Sequence, residues 1–355
     1  MLPDKAYKVC RESRDVTPAP ALATDPEVRP TPLGALALDD LPTELHFVRS
    51  HFGLPAVDPA AWTLDIDGTV EHPRRYSLGQ LRRRPERTQT VVLECAGHRR
   101  NEFEPNASGL QWGVGAVSEA RWTGIPLSDL LAEASPTHGA CEVVFEGADR
   151  GAHRSTDHDV PFARSIPLDR ALAGDVLLAW EMNGEPIPPK HGAPLRLIVP
   201  GSYGVASVKW LHRVTVLDHA FAGPFQTDDY QLNGRPLQEL RVNSLIVEPA
   251  DGSLVHAGTT EVSGVAWGGR GGLARVEIRV AGGPWRKAEL APADEPDGLS
   301  RWRAALQLPP GKHRIEVRAD DGAGAHQPER AEWNPLGYAN NSSHGIRIRT
   351  VAMAA

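Results

Sequence analysis

A mixed α+β domain over residues 44–225 and an immunoglobulin-like β-sandwich over residues 236–352, preceded by an N-terminal arm of residues 1–43, is the architecture this chain predicts. Between residues 45 and 218 short strand patterns alternate with short helical ones in an order that never repeats strictly, which argues for α+β against a doubly wound sheet. Beyond about Pro236 clean period-two alternation takes over with almost no helical signal, as in a sandwich of roughly seven short strands. At 355 residues the chain is long enough for two ordinary cores.

The arm is rich in Pro, Asp and Arg without periodicity, so it is expected to lie over the surface or to be partly disordered. Residues 62–68 alternate and end in Gly68, a strand entering a turn. Ser77 is a candidate N-cap for a helix that carries Leu78 and Leu81. Residues 90–94 form an apolar strand-like run that ends at Cys95. Pro126 opens a helix whose leucines share one face. Residues 141–145, 176–180, 195–199 and 208–217 are further strands, with Trp122 and Trp180 in the core. In the second domain, residues 275–280 and 313–318 are half-buried strands with one charged face. Trp267, Trp285 and Trp302 fall in neighbouring strand candidates, and the run 268–272 reads as a hairpin turn.

Hydrophobic content of 41%, charge of 23% and a net charge of −7 describe a soluble globular chain and argue against nucleic-acid binding. No apolar run is long enough to span a bilayer, so no membrane partner is expected. Neither a basic-then-apolar leader nor a twin arginine opens the chain, so a cytoplasmic location is expected. Cys10, Cys95 and Cys141 are an odd, sparse set, read as reduced thiols. Without haem-attachment or iron–sulfur spacing, any redox chemistry needs an external electron acceptor.

Chemistry concentrates around Cys95, at a strand end, followed by Gly97 and by two permanent cations, Arg99 and Arg100. Such surroundings are expected to lower a thiol's pKa toward the thiolate that binds metals. Four clusters share an anion-binding character: Phe47-Val48-Arg49-Ser50-His51, the Cys95 segment with Trp112, Gly147-Ala148-Asp149-Arg150-Gly151 as a glycine-rich turn, and Lys190-His191-Gly192 through Arg196 to Ser207-Val208-Lys209. Arginine forks and glycine-rich turns both suit phosphate or sulfur oxyanions. With one cysteine they suit a phosphate-bearing cofactor whose metal accepts a soft thiolate.

These segments resemble the sulfite oxidase family of molybdopterin-dependent oxidoreductases. Phe47-Val48-Arg49-Ser50-His51 is similar to the family's Phe-Val-Arg-Asn-His, and Cys95-Ala96-Gly97-His98-Arg99-Arg100 to its Cys-Ala-Gly-Asn-Arg-Arg. Glu181-Met182-Asn183-Gly184, His191-Gly192-Ala193-Pro194-Leu195-Arg196 and Val208-Lys209-Trp210-Leu211 resemble three further stretches in the same order. The resemblance implies Cys95 as the protein ligand to molybdenum, completed by the dithiolene of molybdopterin. It implies that Phe47, Val48, Arg49, Ser50, His51, Asp149, His191, Arg196, Ser207, Val208 and Lys209 hold the pterin and its phosphate. Arg49, Arg100 and Trp112 would line the pocket for a small oxyanion substrate. The reaction implied is oxidation of sulfite to sulfate by oxo transfer, with electrons passed onward, in a homodimer built by the second domain.

Three departures from the family pattern stand out. His98 replaces an asparagine and is expected to donate one hydrogen bond. Phe162 falls where an active-site tyrosine is expected, with Arg164 either compensating or a surface charge. Ser343-His344-Gly345 replaces a stretch that often holds a pocket-reaching arginine. Phe162 favours the alternatives of oxygen-atom transfer to an organic sulfoxide or nitrate, and a non-catalytic binding protein of the same fold is the alternative of another class. His153 and His158 read as a surface loop rather than a zinc site, and Asp149 and Glu181 as partners of nearby arginines.

Overall fold

The computed structural model describes residues 23–24, 26–269, 271–291, 295 and 297–352. Most of the expected arm, with Cys10, lies outside the described residues.

Two five-stranded sheets build the first domain. In one, the strands run Glu185–Pro186, Leu177–Met182, Val117–Pro126 and Arg87–Glu94, with Arg196–Ile198 also paired to Leu177–Met182. The other is ordered Arg74–Ser77, Thr63–Gly68, Leu211–Leu217, Glu142–Ala152 and Asp159–Pro167. Pairing is antiparallel except between Thr63–Gly68 and Leu211–Leu217. The α-helices are short, four to eight residues, and three of them directly follow a strand. The α+β expectation holds.

Local sequence explains much of this framework. Ser77 Oγ accepts from the Gln80 N–H while the Gln80 side chain accepts from the Ser77 N–H, a complete capping box. The helix Leu127–Ala134 buries Leu127, Leu130 and Leu131 on one face, with Pro126 as its N-cap rather than inside it. Asn183 and Gly184, both at positive φ, turn the chain between Leu177–Met182 and Glu185–Pro186. Trp122 and Trp180 are core residues.

The second domain is a sandwich of a four-stranded and a five-stranded sheet, nine strands where about seven were expected. Ile246, Val262, Ile278, Ile315 and Ile346 fill the space between the sheets. The run 268–272 is no hairpin. It follows Gly258–Trp267 of one sheet and precedes Leu273–Val280 of the other, so it crosses between sheets. Trp285 is not a strand residue either; it precedes Arg286–Lys287 with the Arg279 and Arg318 guanidinium carbons 4.3 and 4.4 Å from its ring centre. Among the described residues no helix is long and apolar enough to cross a membrane.

The two domains share a buried seam. The first domain's apolar core continues into Leu245, Val265, Trp267 and Leu299. Beside it runs a polar network in which Arg99 donates to Glu102, Ser342 and Ser343.

Candidate active site

A cleft open to solvent forms where the ends of several strands and three tight turns meet. Cys95 reaches it from the end of Arg87–Glu94, its N–H bonded to Ala116 O at 2.9 Å and its C=O accepting from His98 N at 2.8 Å. Arg49, Ser50 and His51 form one wall, and Lys190, His191 and Arg196 another. Gly192, at φ 110, lets the His191 turn press on Lys209; a Cβ there would stand 2.8 Å from the Lys209 Cβ. Asp149 enters from a bulge in the strand Glu142–Ala152, so 147–151 is irregular strand and not a turn.

The walls are cationic and incompletely satisfied. Lys209 Nζ donates to Ser50 Oγ at 2.5 Å and Lys190 O at 3.0 Å. Arg196 Nη1 donates to His191 O at 2.9 Å, yet its Nε is buried without a partner, as are His46 Nε2, His191 Nε2 and Asp149 Oδ1. Each buried unpaired group costs about 1–3 kcal/mol, so the cavity is built for a polar ligand that supplies the missing partners. Burial and repulsion from Arg196 and Arg49 push Lys209 well below its ordinary pKa, and burial brings Arg196 down to about 9. Burial raises Asp149 to about 6, and the cation that opposes the shift is Lys209, not an arginine.

Cys95 behaves differently from the expectation. Burial raises its thiol, outweighing Arg49 and Arg100. Arg99 is turned away into the domain seam, and Arg100 donates to the Leu336, Gly337 and Leu110 carbonyls and lies over the Tyr338 ring at 5.0 Å. A thiol held neutral in an apolar wall still fits a soft metal, which displaces its proton on binding.

Not every expected residue reaches the cleft. Phe47, Arg49, Ser50, His51, Cys95, Asp149, His191, Arg196, Ser207 and Lys209 line it. Val48 and Val208 are buried in cores, where apolar side chains have no polar ligand to meet. Arg100 and Trp112 also lie behind the wall, Trp112 edge-on to Phe47 at 6.3 Å. His98 donates no side-chain hydrogen bond; both ring nitrogens are buried and unpartnered, edge-on to Trp267 at 5.8 Å. Arg164 neither compensates in the cleft nor sits on the surface: it is buried, donating to Phe225 O and Leu237 O. His344 accepts from Ile246 N at 3.0 Å inside the second domain. His153 is buried, while His158 is exposed.

Two polar lining residues escaped the sequence reading, His46 and Tyr230. Tyr230 supplies the phenol that Phe162 lacks: its hydroxyl is 2.6 Å from His51 Nε2, and Phe162 stacks flat on the same imidazole at 5.2 Å. Arg49 Nη2 lies 3.2 Å from His51 Nδ1 and can only donate, so Nδ1 accepts. Burial and the nearby cations keep His51 neutral, leaving its single hydrogen on Nε2. The Tyr230 oxygen accepts that hydrogen, and the phenol's own proton is free for a ligand.

Residues 51–225 match the oxidoreductase molybdopterin binding domain, and residues 235–351 the Mo-co oxidoreductase dimerisation domain. The chain is 34% identical to mitochondrial sulfite oxidase of Mus musculus, over 94% of this chain and 64% of that protein. It is 35% identical to sulfite oxidase of Gallus gallus, over 85% and 72%. The sulfane dehydrogenase SoxCD of Paracoccus pantotrophus superposes with a TM-score of 0.78 at 27% identity, covering 96% of this chain and 90% of that one. The chain thus spans 64% of the length of the mouse relative. With a thiol, unsatisfied cations and imidazoles converging on one cleft, these matches show that the chain belongs to the sulfite oxidase family of molybdopterin-binding oxidoreductases.

Proposed function

We propose that the chain oxidises sulfite to sulfate and passes the electrons to an external acceptor. One observation carries this reading: the Cys95 thiol and the Tyr230 phenol face the same cleft as Arg49, Arg196 and Lys209. The unpaired His46, His191, Arg196 and Asp149 atoms fit a ligand with both anionic and polar ring groups, as molybdopterin has. Lys209, Arg196, Ser50 and Ser207 would hold its phosphate, His46, His191 and Asp149 its ring, and Cys95 its metal. Bound there, the molybdenum centre would supply two-electron oxygen-atom-transfer chemistry, with water as the source of the oxygen and an external acceptor taking the electrons.

The chain's own residues bind and orient the anion. Arg49 attracts sulfite with its planar guanidinium, whose fork of donors matches an oxyanion. The Tyr230 hydroxyl donates to one of its oxygens, and His51 holds the phenol in that role. Arg100 lies too far inside the wall for direct contact and contributes positive potential from behind it. The Tyr230 hydroxyl removes the reason to prefer sulfoxide or nitrate that the phenylalanine at 162 gave. A homodimer through the second domain and a cytoplasmic location complete the reading; sedimentation and cell fractionation test them.

The test of the function is metal analysis followed by sulfite-dependent reduction of an artificial acceptor. Molybdenum near one per chain with turnover that Cys95→Ser abolishes, at unchanged circular dichroism, supports the proposal. A chain that takes up no molybdenum from a cofactor-replete host, or a Cys95→Ser variant with normal kinetics, overturns it.

A further inference from the structure

Tyr230 sits at φ 54, a left-handed conformation that costs a large side chain about 1–3 kcal/mol unless its surroundings impose it. The residue before it is gripped from outside the cleft. The turn joining Glu142–Ala152 to Asp159–Pro167 brings His153 Nε2 to 3.0 Å from Asp229 Oδ2. Arg154 Nη1 donates to Asp229 Oδ1, and Arg154 Nη2 to Asp228 O at 3.2 Å. The Ser155 N–H donates to His153 Nδ1 at 3.2 Å, so Nδ1 is the bare nitrogen and Nε2 carries the hydrogen that the carboxylate accepts. The imidazole is thus fixed at both ends. It also stands edge-on to Phe225 at 5.0 Å, and that ring packs on both His51 and Phe162. None of the three gripping side chains lines the cleft.

We propose that His153, Arg154 and Asp229 form a clamp that positions Tyr230, holding its hydroxyl on His51 and its proton toward the bound anion. The three are positioning residues and touch no substrate; their kinetic effect rests on the function proposed above. Losing the clamp lets residues 228–230 relax from the left-handed turn and withdraws the phenol from the cleft, while the rest of the cavity stays in place.

The test uses two independent readouts on the full, cofactor-loaded chain. Arg154 is 60% exposed, so Arg154→Ala leaves the fold intact; His153→Leu removes the buried donor, and His153→Gln restores an N–H at the same reach. With 3-fluorotyrosine incorporated at the five tyrosines, the Tyr230 resonance is identified by its loss in Tyr230→Phe. It is expected to shift or broaden in Arg154→Ala and His153→Leu, and to return in His153→Gln, while Tyr76 is unmoved. In kinetics, His153→Leu is expected to lower kcat/KM for sulfite about tenfold to a hundredfold. In the Tyr230→Phe background the same change costs less than about twofold. Equal losses in both backgrounds, or a Tyr230 resonance that His153→Leu does not move, overturn the clamp. If the chain turns over no sulfite, the function proposed above fails and the fluorine resonances alone decide the clamp.

Discussion

Trp267 Nε1 donates to Glu94 Oε2 across 2.8 Å, joining the second domain directly to the residue that precedes Cys95. Asn243 Nδ2 reaches the other carboxyl oxygen at 3.3 Å, so both donors to Glu94 come from the far side of the seam. The dimerisation domain therefore props the strand end that presents the thiol. Either oxygen of a carboxyl group can accept a hydrogen bond, but an amide nitrogen cannot. Glu94→Gln must therefore leave Trp267 Nε1 unpaired or cost Asn243 Nδ2 one of its two acceptors, the other being Asn340 O. The expected loss is about 1–3 kcal/mol of unfolding free energy in chemical denaturation. An unchanged midpoint and slope would show that the seam does not depend on this pairing.

The same seam gives stability a pH optimum. Burial lowers His344 to about 3 and holds His98 well below its ordinary range, so both are neutral when folded. As pH falls below the unfolded histidine value, about 6.5, the unfolded chain binds protons that the folded chain refuses. Stability is then lost progressively toward pH 3. Burial raises Glu94 to about 8, the opposite case for an acid. Its folded form keeps a proton that the unfolded chain releases above about 4.5, so its contribution falls as pH rises toward 8. With two histidines against one carboxyl, these seam groups favour a maximum near pH 6.5. His344→Asn can still accept from Ile246 N and does not titrate. It is expected to make the acid limb of a denaturation-versus-pH curve shallower by about 1.4 kcal/mol per pH unit. A limb of unchanged slope rules out this source.

Lys209 illustrates a site that costs the empty protein stability. It is buried beside Arg196 and Arg49, and its charge is disfavoured by both burial and repulsion. Lys209→Met keeps most of the volume and removes the charge. In protein purified from cofactor-deficient cells the variant is expected to gain about 1 kcal/mol of stability. In cofactor-replete cells it should lose molybdenum on gel filtration, because Lys209 is one of the cations proposed to hold the phosphate. A variant that is less stable and retains molybdenum contradicts both parts.

What the sequence disclosed, and what it withheld, follows from the range of the interactions involved. The Ser77 cap is encoded within four residues, so pattern reading reaches it. The cleft cations were legible because arginine, histidine and lysine cluster in short runs that suit an anion. Side-chain direction was not: Arg99, Arg100 and Cys95 are neighbours, yet one points into the seam, one into backbone carbonyls and one into the cleft. The thiol nevertheless stays high because burial outweighs the opposing pull of Arg49 and Arg100. Tyr230 escaped because its partner His51 lies 179 residues away and its own left-handed turn carries no glycine to mark it. Phe162 occupied the expected position in sequence while the hydroxyl arrived from another loop.

Tyr230→Phe tests the assignment of that hydroxyl. The variant removes the acceptor of the His51 N–H and the donor to the anion but keeps the ring, which stacks on Tyr338 with centroids 5.0 Å apart and planes 6° from parallel. Because the stack and the Arg164 guanidinium beside it remain, the melting temperature should change little. A hydrogen bond to a charged ligand is worth about 1.5–3 kcal/mol, so kcat/KM for sulfite is expected to fall roughly tenfold to a hundredfold. Sulfate, which offers the same oxygens, should weaken as a competitive inhibitor in parallel, because the donor is lost for any oxyanion. A normal kcat/KM with unaltered sulfate inhibition means that the phenol proton never faces the anion, and that the arginines alone hold it.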